Sequence, residues 1–353
     1  ARLTSLLCSS LRNGKLTEGL QLFQQGLQES ETMLHLEIPC FLCIFSAFCK
    51  HDKKHSSMEA KKMHVHVISN RLEKDLMVGT SLIHMYGKLN HTSYAYTIFD
   101  SMETKNVVTW NAMISLFAKT KESELAIQLF HQMVCEGILP VKVTFLAIVN
   151  ATKDFDLGTR IHAIIVIRNE ISLDVHLQTC LVSMYGRYGR SDMSREIFDL
   201  IEKPNIVSWT NMISVYAENK RTREAFEFLS RMQSEAKLVP NDVTFISLLG
   251  LCAEDGLLIN GMHLHGLIVA FGFDLLIVVT NALLNFYNKC SVSMDAHQIF
   301  LAMSEKDLIS WNTMISMNNT CNTKGIESYN YFKEMCHSGV NPSKATFKNI
   351  LDA

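Results

Sequence analysis

The chain has 353 residues, is 48% hydrophobic, and sets 33 Lys and Arg against 35 Asp and Glu for a net charge of -2. That length suits two ordinary domains or one extended array. The charge balance neither demands nucleic acid nor excludes it, because a basic groove can coexist with an acidic outer face. No run of 18 apolar residues occurs, which excludes a membrane-spanning helix. Ten cysteines lie among apolar neighbours without framework spacing, and read as reduced, buried thiols of an intracellular compartment rather than disulfides.

From the N-terminus, the sequence opens on Ala1 and ends within a pattern at "KATFKNILDA", so it is expected to be an internal piece of a longer protein. The stretch "HLEIPCFLC", residues 35–43, carries both the His-x-Glu and the Pro-Cys-x-x-Cys of zinc-dependent base deaminases. Two observations argue against that chemistry. Leu42 to Cys49 align with Phe245 to Cys252 further along, where Cys40 and Cys43 meet plain Val243 and Ile246. A deaminase also draws its His and its cysteine pair from separate elements, and nine residues containing Pro39, which should interrupt the backbone, leave little room for an open zinc site. No metal is expected there. "HDKKHSSMEAKK" reads as a solvated turn and helix start. The pairs His64/His66 and His263/His265 stand at i, i+2, roughly 200° apart on a helix, and cannot share an ion.

From Ser81 onward the chain repeats itself. "SLIHMYGKLNHTSYAYTIFDSM" returns as "CLVSMYGRYGRSDMSREIFDLI" from Cys180 and "ALLNFYNKCSVSMDAHQIFLAM" from Ala282. "VVTWNAMIS" from Val107 returns as "IVSWTNMIS" and "LISWNTMIS", which hold all three tryptophans, and "VTFLAIV" from Val143 returns as "VTFISLL" from Val243. The large repeat is near 100 residues and divides into subunits of 31 to 36, the size of helical-hairpin solenoids. Ala126, Leu129, Phe130 and Met133 have the i, i+3, i+4, i+7 spacing of one buried helix stripe, and Ala225, Phe228, Leu229 and Met232 repeat it. The small residue that opens this stripe recurs as Ser194, Ala296 and Ser328, seven before Ile201, Met303 and Met335, and suits a close helix crossing. Gly137 and Gly339, each three residues before a proline, supply helix stops. The predicted fold is all-α, with tryptophans and methionines as core filling.

The W-N/T-x-M-I starts, the L-x-M/F-Y segments and the His of "MHVH", "RIHA" and "MHLH" resemble pentatricopeptide (PPR) repeats of the plant class that cycles through P, L and S variants. The resemblance covers almost the whole chain. It implies an α-solenoid of about ten helical hairpins wound as a right-handed superhelix. The windows would be P 1–35, L 36–75, S 76–106, P 107–141, L 142–174, S 175–205, P 206–241, L 242–276, S 277–307 and P 308–343, then a partial L 344–353. It further implies binding of single-stranded organellar RNA, in mitochondrion or chloroplast, at roughly one base per repeat, chiefly for C-to-U editing. The deaminase-like DYW domain that often follows such arrays is not in this sequence, so no catalytic residues, no cofactor and no enzyme activity are expected, nor any membrane or DNA partner. Small accessory editing proteins would dock on L repeats.

In that family the fifth residue of a P or S repeat faces the base and the last residue assists. The transferred pairs are Thr80 with Asn106, Asn111 with Val141, Thr179 with Asn205, Thr210 with Asn241, Asn281 with Asp307, and Asn312 with Ser343. Thr with Asn resembles an adenine reader, Asn with Asp a uridine reader, and Asn with Ser a weak pyrimidine reader. Val141 cannot hydrogen-bond through its side chain, so its window is expected to be weakly specified. The second residues Met77, Val108, His176, Val207, Val278 and Ile309 would wedge between bases. The first window is too divergent to decode, the L windows are left undecoded, and the last P window, with "MNNTCNTKGIESYNYF", is irregular. Two competing functions remain open at this point: an RNA-binding array that stabilises, splices or translates a transcript, and a protein-binding helical scaffold.

Overall fold

The apolar stripes dictate helices that cannot bury their faces alone, and the chain meets this need by stacking hairpins. The structure, a computed structural model, describes residues 2–13, 15–28, 38–50, 53–69, 72, 74–168, 173–317 and 324–352. His35 and Glu37 of the deaminase-like stretch, and residues 318–323 of the irregular last P window, lie outside the described residues. Every regular element among the described residues is helical.

Two compact units divide the chain, residues 1–172 and 173–353. The first contains α1 (Arg2–Arg12), α2 (Leu16–Gln28), α3 (Ile38–Phe48), α4 (Lys53–Ser69), α5 (Leu76–Lys88), α6 (Thr92–Ser101), α7 (Val107–Lys119), α8 (Ser123–Cys135), α9 (Lys142–Ala151) and α10 (Phe155–Ile167). The second contains α11 (Val175–Arg187), α12 (Ser191–Asp199), α13 (Ile206–Glu218), α14 (Thr222–Ser234), α15 (Asp242–Asp255), α16 (Leu258–Ala270), α17 (Ile277–Lys289), α18 (Ser293–Ala302), α19 (Leu308–Met317), α20 (Lys324–His337) and α21 (Lys344–Leu351), with a short 3₁₀ turn at Phe273–Leu275. Within each unit the odd-numbered helices pack on one another in chain order, and each up to α19 packs on the even-numbered helix that follows it. Each unit is thus an α-solenoid of helical hairpins.

The small residues of the stripes sit where the two helices of a hairpin cross. Ala95, Ala126, Ser194, Ala225, Ala296 and Ser328 are fully buried. The two serines discharge their hydroxyls on the facing helix, Ser194 on Val182 O (2.8 Å) and Ser328 on Ile315 O (3.1 Å), so a polar side chain costs little there. Successive hairpins are joined by tryptophan. Phe99, Phe198 and Phe300 of the even helices meet Trp110, Trp209 and Trp311 edge-on, with centroids 4.9, 5.0 and 4.9 Å apart. The tryptophans are therefore core residues, buried with Met113, Met212 and Met314.

Backbone turns follow the same repeat. Gly137 and Gly339 end their helices at φ +76° and +80°, where glycine carries no Cβ penalty. Among the described residues the turn inside the hairpin is left-handed at Asn90, Lys121, Gly189, Lys220, Gly256 and Ser291, so glycine marks it only twice in six. One expectation is corrected. Pro39 does not interrupt the backbone but lies in the first turn of α3, where its missing N–H would have had no intrahelical partner.

Candidate functional site

The odd-numbered helices from α5 onward begin alike, and their first turn sorts side chains by position. At the second place, Met77, Val108, Val207, Val278 and Ile309 are 52 to 62% exposed. His176 is exposed as well, and Val143 and Val243 hold the same place on α9 and α15. A recurring apolar residue in water at one fixed place has no packing reason within the chain. One residue on, Thr109, Thr144, Ser208, Thr244, Ser310 and Thr346 are almost wholly buried.

Those buried hydroxyls join the last residue of one window to the fifth residue of the same window. Asn106 caps α7: its Oδ1 accepts from the Val108 and Thr109 N–H groups (3.0 Å each) and from the Thr109 hydroxyl (3.1 Å), which lies 2.8 Å from the Thr80 hydroxyl. Asn205 caps α13 in the same way, with Ser208 between it and Thr179 (3.1 Å). Thr210 donates directly to Asn241 Oδ1 (3.2 Å) and lies 2.9 Å from the Thr244 hydroxyl. Asn281 Nδ2 donates to Asp307 Oδ1 (3.1 Å), while the Ser310 hydroxyl donates to Asn281 Oδ1 (2.7 Å). A carboxylate only accepts, so this contact fixes which end of the amide is nitrogen.

The two remaining pairs are built differently. Thr144 Oγ1 accepts the Val141 N–H (3.0 Å) and donates its single proton to Asn111 Oδ1 (2.6 Å). Thr346 Oγ1 accepts the Ser343 N–H (2.9 Å) and donates to Asn312 Oδ1 (2.7 Å). Of the six expected pairs, then, direct side-chain bonds appear in Thr210–Asn241 and Asn281–Asp307, and the following hydroxyl connects or replaces the rest. These polar residues are not freely solvated: Thr179, Thr210 and Asn281 are buried. The hydroxyls were visible as the Thr or Ser of "VTW", "VTF", "VSW" and "ISW", but nothing in spacing alone links them to a partner about 30 residues earlier.

Charge follows the same surface. Burial opposes ionisation of Asp307, yet the Ser310 N–H and hydroxyl, the Asn281 amide and the Ile309 N–H together hold its carboxyl below the ordinary range. In the first unit a cleft of about 650 Å³ is lined by Val108, Asn111, His84, Lys88 and Lys119. Thr80, Lys50 and Lys88 line a neighbouring cleft. Burial lowers the His84 pKa first, and Lys88 and Lys119 lower it further, so His84 reports an excess of positive charge there. The paired histidines have ordinary partners instead: His64 Nδ1 lies 3.0 Å from Tyr86 Oη, and His265 Nδ1 lies 2.9 Å from Tyr287 Oη. Among the described residues, no group of three or more His, Cys, Asp or Glu is placed to hold a metal ion.

Stacked helical hairpins with a polar junction at the start of α7, α9, α13, α15, α19 and α21 define a tandem-repeat protein. A family described as the PPR repeat family matches residues 105–153 and 204–254, and a single PPR repeat matches residues 80–107. Residues 80–153 and 204–254 thus carry repeats of the PPR repeat family. It is 32% identical over 298 residues to a pentatricopeptide repeat-containing protein of Arabidopsis thaliana, covering 83% of this chain and 40% of that one. To CRR2, a chloroplastic pentatricopeptide repeat-containing protein of the same plant, it is 30% identical over 99% of this chain and 52% of that one. To a mitochondrial member it is 32% identical over 84% and 48%. The chain thus spans about half the length of these relatives, or less. Among solved structures, PPR10 in complex with an 18-nucleotide psaJ RNA element shares the fold, with a TM-score of 0.66 at 16% identity over 99% of this chain and 55% of that one.

Proposed function

We propose that this array reads single-stranded RNA, one base per window, as the site-recognition tract of an organellar C-to-U editing factor of the P-L-S class. The observation that carries the reading is the recurrent junction: an exposed apolar residue beside an oriented Thr or Asn, repeated at the start of successive odd helices. An apolar side chain between bases and a polar one at the Watson–Crick edge is a general means of reading unpaired nucleotides. Lys50, Lys88 and Lys119 would meet phosphate. The RNA-bound state of PPR10 and the chloroplastic and mitochondrial names of relatives support the assignment. Accessory proteins would find apolar surface on the L windows, where Met58, Val65 and Ile68 of α4 and Ile259, Met262 and Val269 of α16 are exposed.

The implied register, 5′ to 3′, is A, any, any, A, A, any, U, pyrimidine. Binding of this chain to an A-N-N-A-A-N-U-Y oligonucleotide is compared, at one fixed salt concentration, with an oligonucleotide carrying cytosine at the three adenines. A preference for the first supports the reading, and Thr179→Asn then changes preference at one position only. Equal, salt-sensitive binding removes the base assignments, and no binding to either RNA favours the scaffold function.

A further inference from the structure

We infer that Thr144 is a positioning residue that makes the window 107–141 base-specific, although its last residue, Val141, offers no side-chain hydrogen bond. This inference rests on the RNA-reading assignment above and goes beyond it. Wherever a Thr or Asn stands at the fifth place from Thr80 onward, the following helix carries a buried Ser or Thr at its third place. The places are Thr80/Thr109, Asn111/Thr144, Thr179/Ser208, Thr210/Thr244, Asn281/Ser310 and Asn312/Thr346. Where the fifth residue is apolar, as at Leu146 and Ile246, the next window has Leu177 and Val279 at that place. The hydroxyl accompanies the reader residue, not the helix start as such.

The hydrogen bonds around Thr144 set which end of the Asn111 amide faces it. The Thr144 oxygen receives the Val141 N–H, and its one proton goes to Asn111 Oδ1 at 2.6 Å. A donor at that point requires the carbonyl end of the Asn111 amide, so the NH₂ end is turned away from Thr144. Asn111 therefore presents a hydrogen-bond donor in one orientation and selects bases with an acceptor at the facing edge. Asn312 is held the same way by Thr346, whose oxygen receives the Ser343 N–H. There the Ser343 hydroxyl lies 3.1 Å from Thr346, not on the reader. In the windows 107–141 and 308–343 the reader amide is thus held by the same hydroxyl place, and the side chain of the last residue bonds to neither amide directly.

The test is a four-base scan at each position of the oligonucleotide, with affinities measured for the unaltered chain and for Thr144→Val, Thr144→Ser and Val141→Ser. Expected is the same preferred base opposite Asn111 and Asn312. Thr144→Val should reduce discrimination opposite Asn111 by about fivefold, the worth of one orienting hydrogen bond, and leave the other positions unchanged. Thr144→Ser should restore it, and Val141→Ser should leave it within about twofold. The inference is overturned if the position opposite Asn111 does not discriminate while others do, or if Thr144→Val leaves its discrimination intact. It is equally overturned if Thr144→Val weakens all RNAs alike with a lowered Tm, which marks a structural role. Absence of base preference at every position refutes the RNA-reading assignment itself.

Discussion

Gly261 on α16 and Gly266, five residues on, make a matched test of how the hairpins are spaced. A Cβ built at Gly261 would lie 2.0 Å from Cζ and 2.2 Å from Cε2 of Phe286, a fully buried ring on α17. Ordinary contact begins near 3.4 Å, so the ring or the helix must move by more than an ångström. Overpacking of this kind costs about 1–3 kcal/mol, offset by about 1 kcal/mol of improved helix propensity. Gly261→Ala should therefore destabilise by up to about 2 kcal/mol. At Gly266 nothing lies within 4 Å, so Gly266→Ala should stabilise by about 0.5–1 kcal/mol through propensity alone. Because a solenoid's repeats interact mainly with their neighbours, urea unfolding is best paired with amide exchange over α16 and α17. Equal signs for the two substitutions would refute the close approach of α16 to α17.

The positive cleft makes two further predictions. Lys88→Gln should raise the His84 pKa toward its ordinary value without reaching it, since burial is the larger cause, and an NMR titration of the imidazole reads this directly. Replacing Lys88 and Lys119 together should flatten the dependence of log affinity for RNA on log salt by about 1.4; an unchanged slope would take both lysines out of phosphate contact. Asp307 predicts an acid limit. Its folded pKa is depressed, so its contribution to stability is complete above the unfolded value and is lost as pH falls through the folded one. Asp307→Asn should therefore remove part of the stability loss below about pH 4, seen as a shallower fall of Tm.

Helices and core were legible in the sequence because they depend on period alone. Ala126, Leu129, Phe130 and Met133 declare a face, and all four are buried. The helix stops were legible only where glycine marked them. At Lys121 and Lys220 the left-handed turn is imposed by the hairpin on a residue with no preference for it. The second-place residues were identified by position, and their exposure could not be read from Val or Ile, which composition assigns to a core. The hydroxyl junctions were hidden for another reason. A Ser or Thr at the third place of a helix has a sufficient local explanation in capping, and Thr144 and Thr346 do serve that end. Only the packing of one helix on the next shows that the same oxygen also holds an amide 33 or 34 residues earlier.

Each polar junction spans a boundary between hairpins: Asn205 caps α13 while the Ser208 it holds reaches back to Thr179 on α11. On the proposed RNA-reading function, the letter a hairpin reads is then a property of a seam, shared by two neighbours, and no hairpin owns it. Grafting a hairpin cut at its helix boundary into a foreign array would carry half of one junction and half of the next, and rewrite two letters. A cut placed within α10 or α16 crosses no junction, because Thr144 closes one before α10 and Thr179 opens the next after it, and Thr244 and Asn281 flank α16 in the same way, so exchange of segments between arrays is cleanest there.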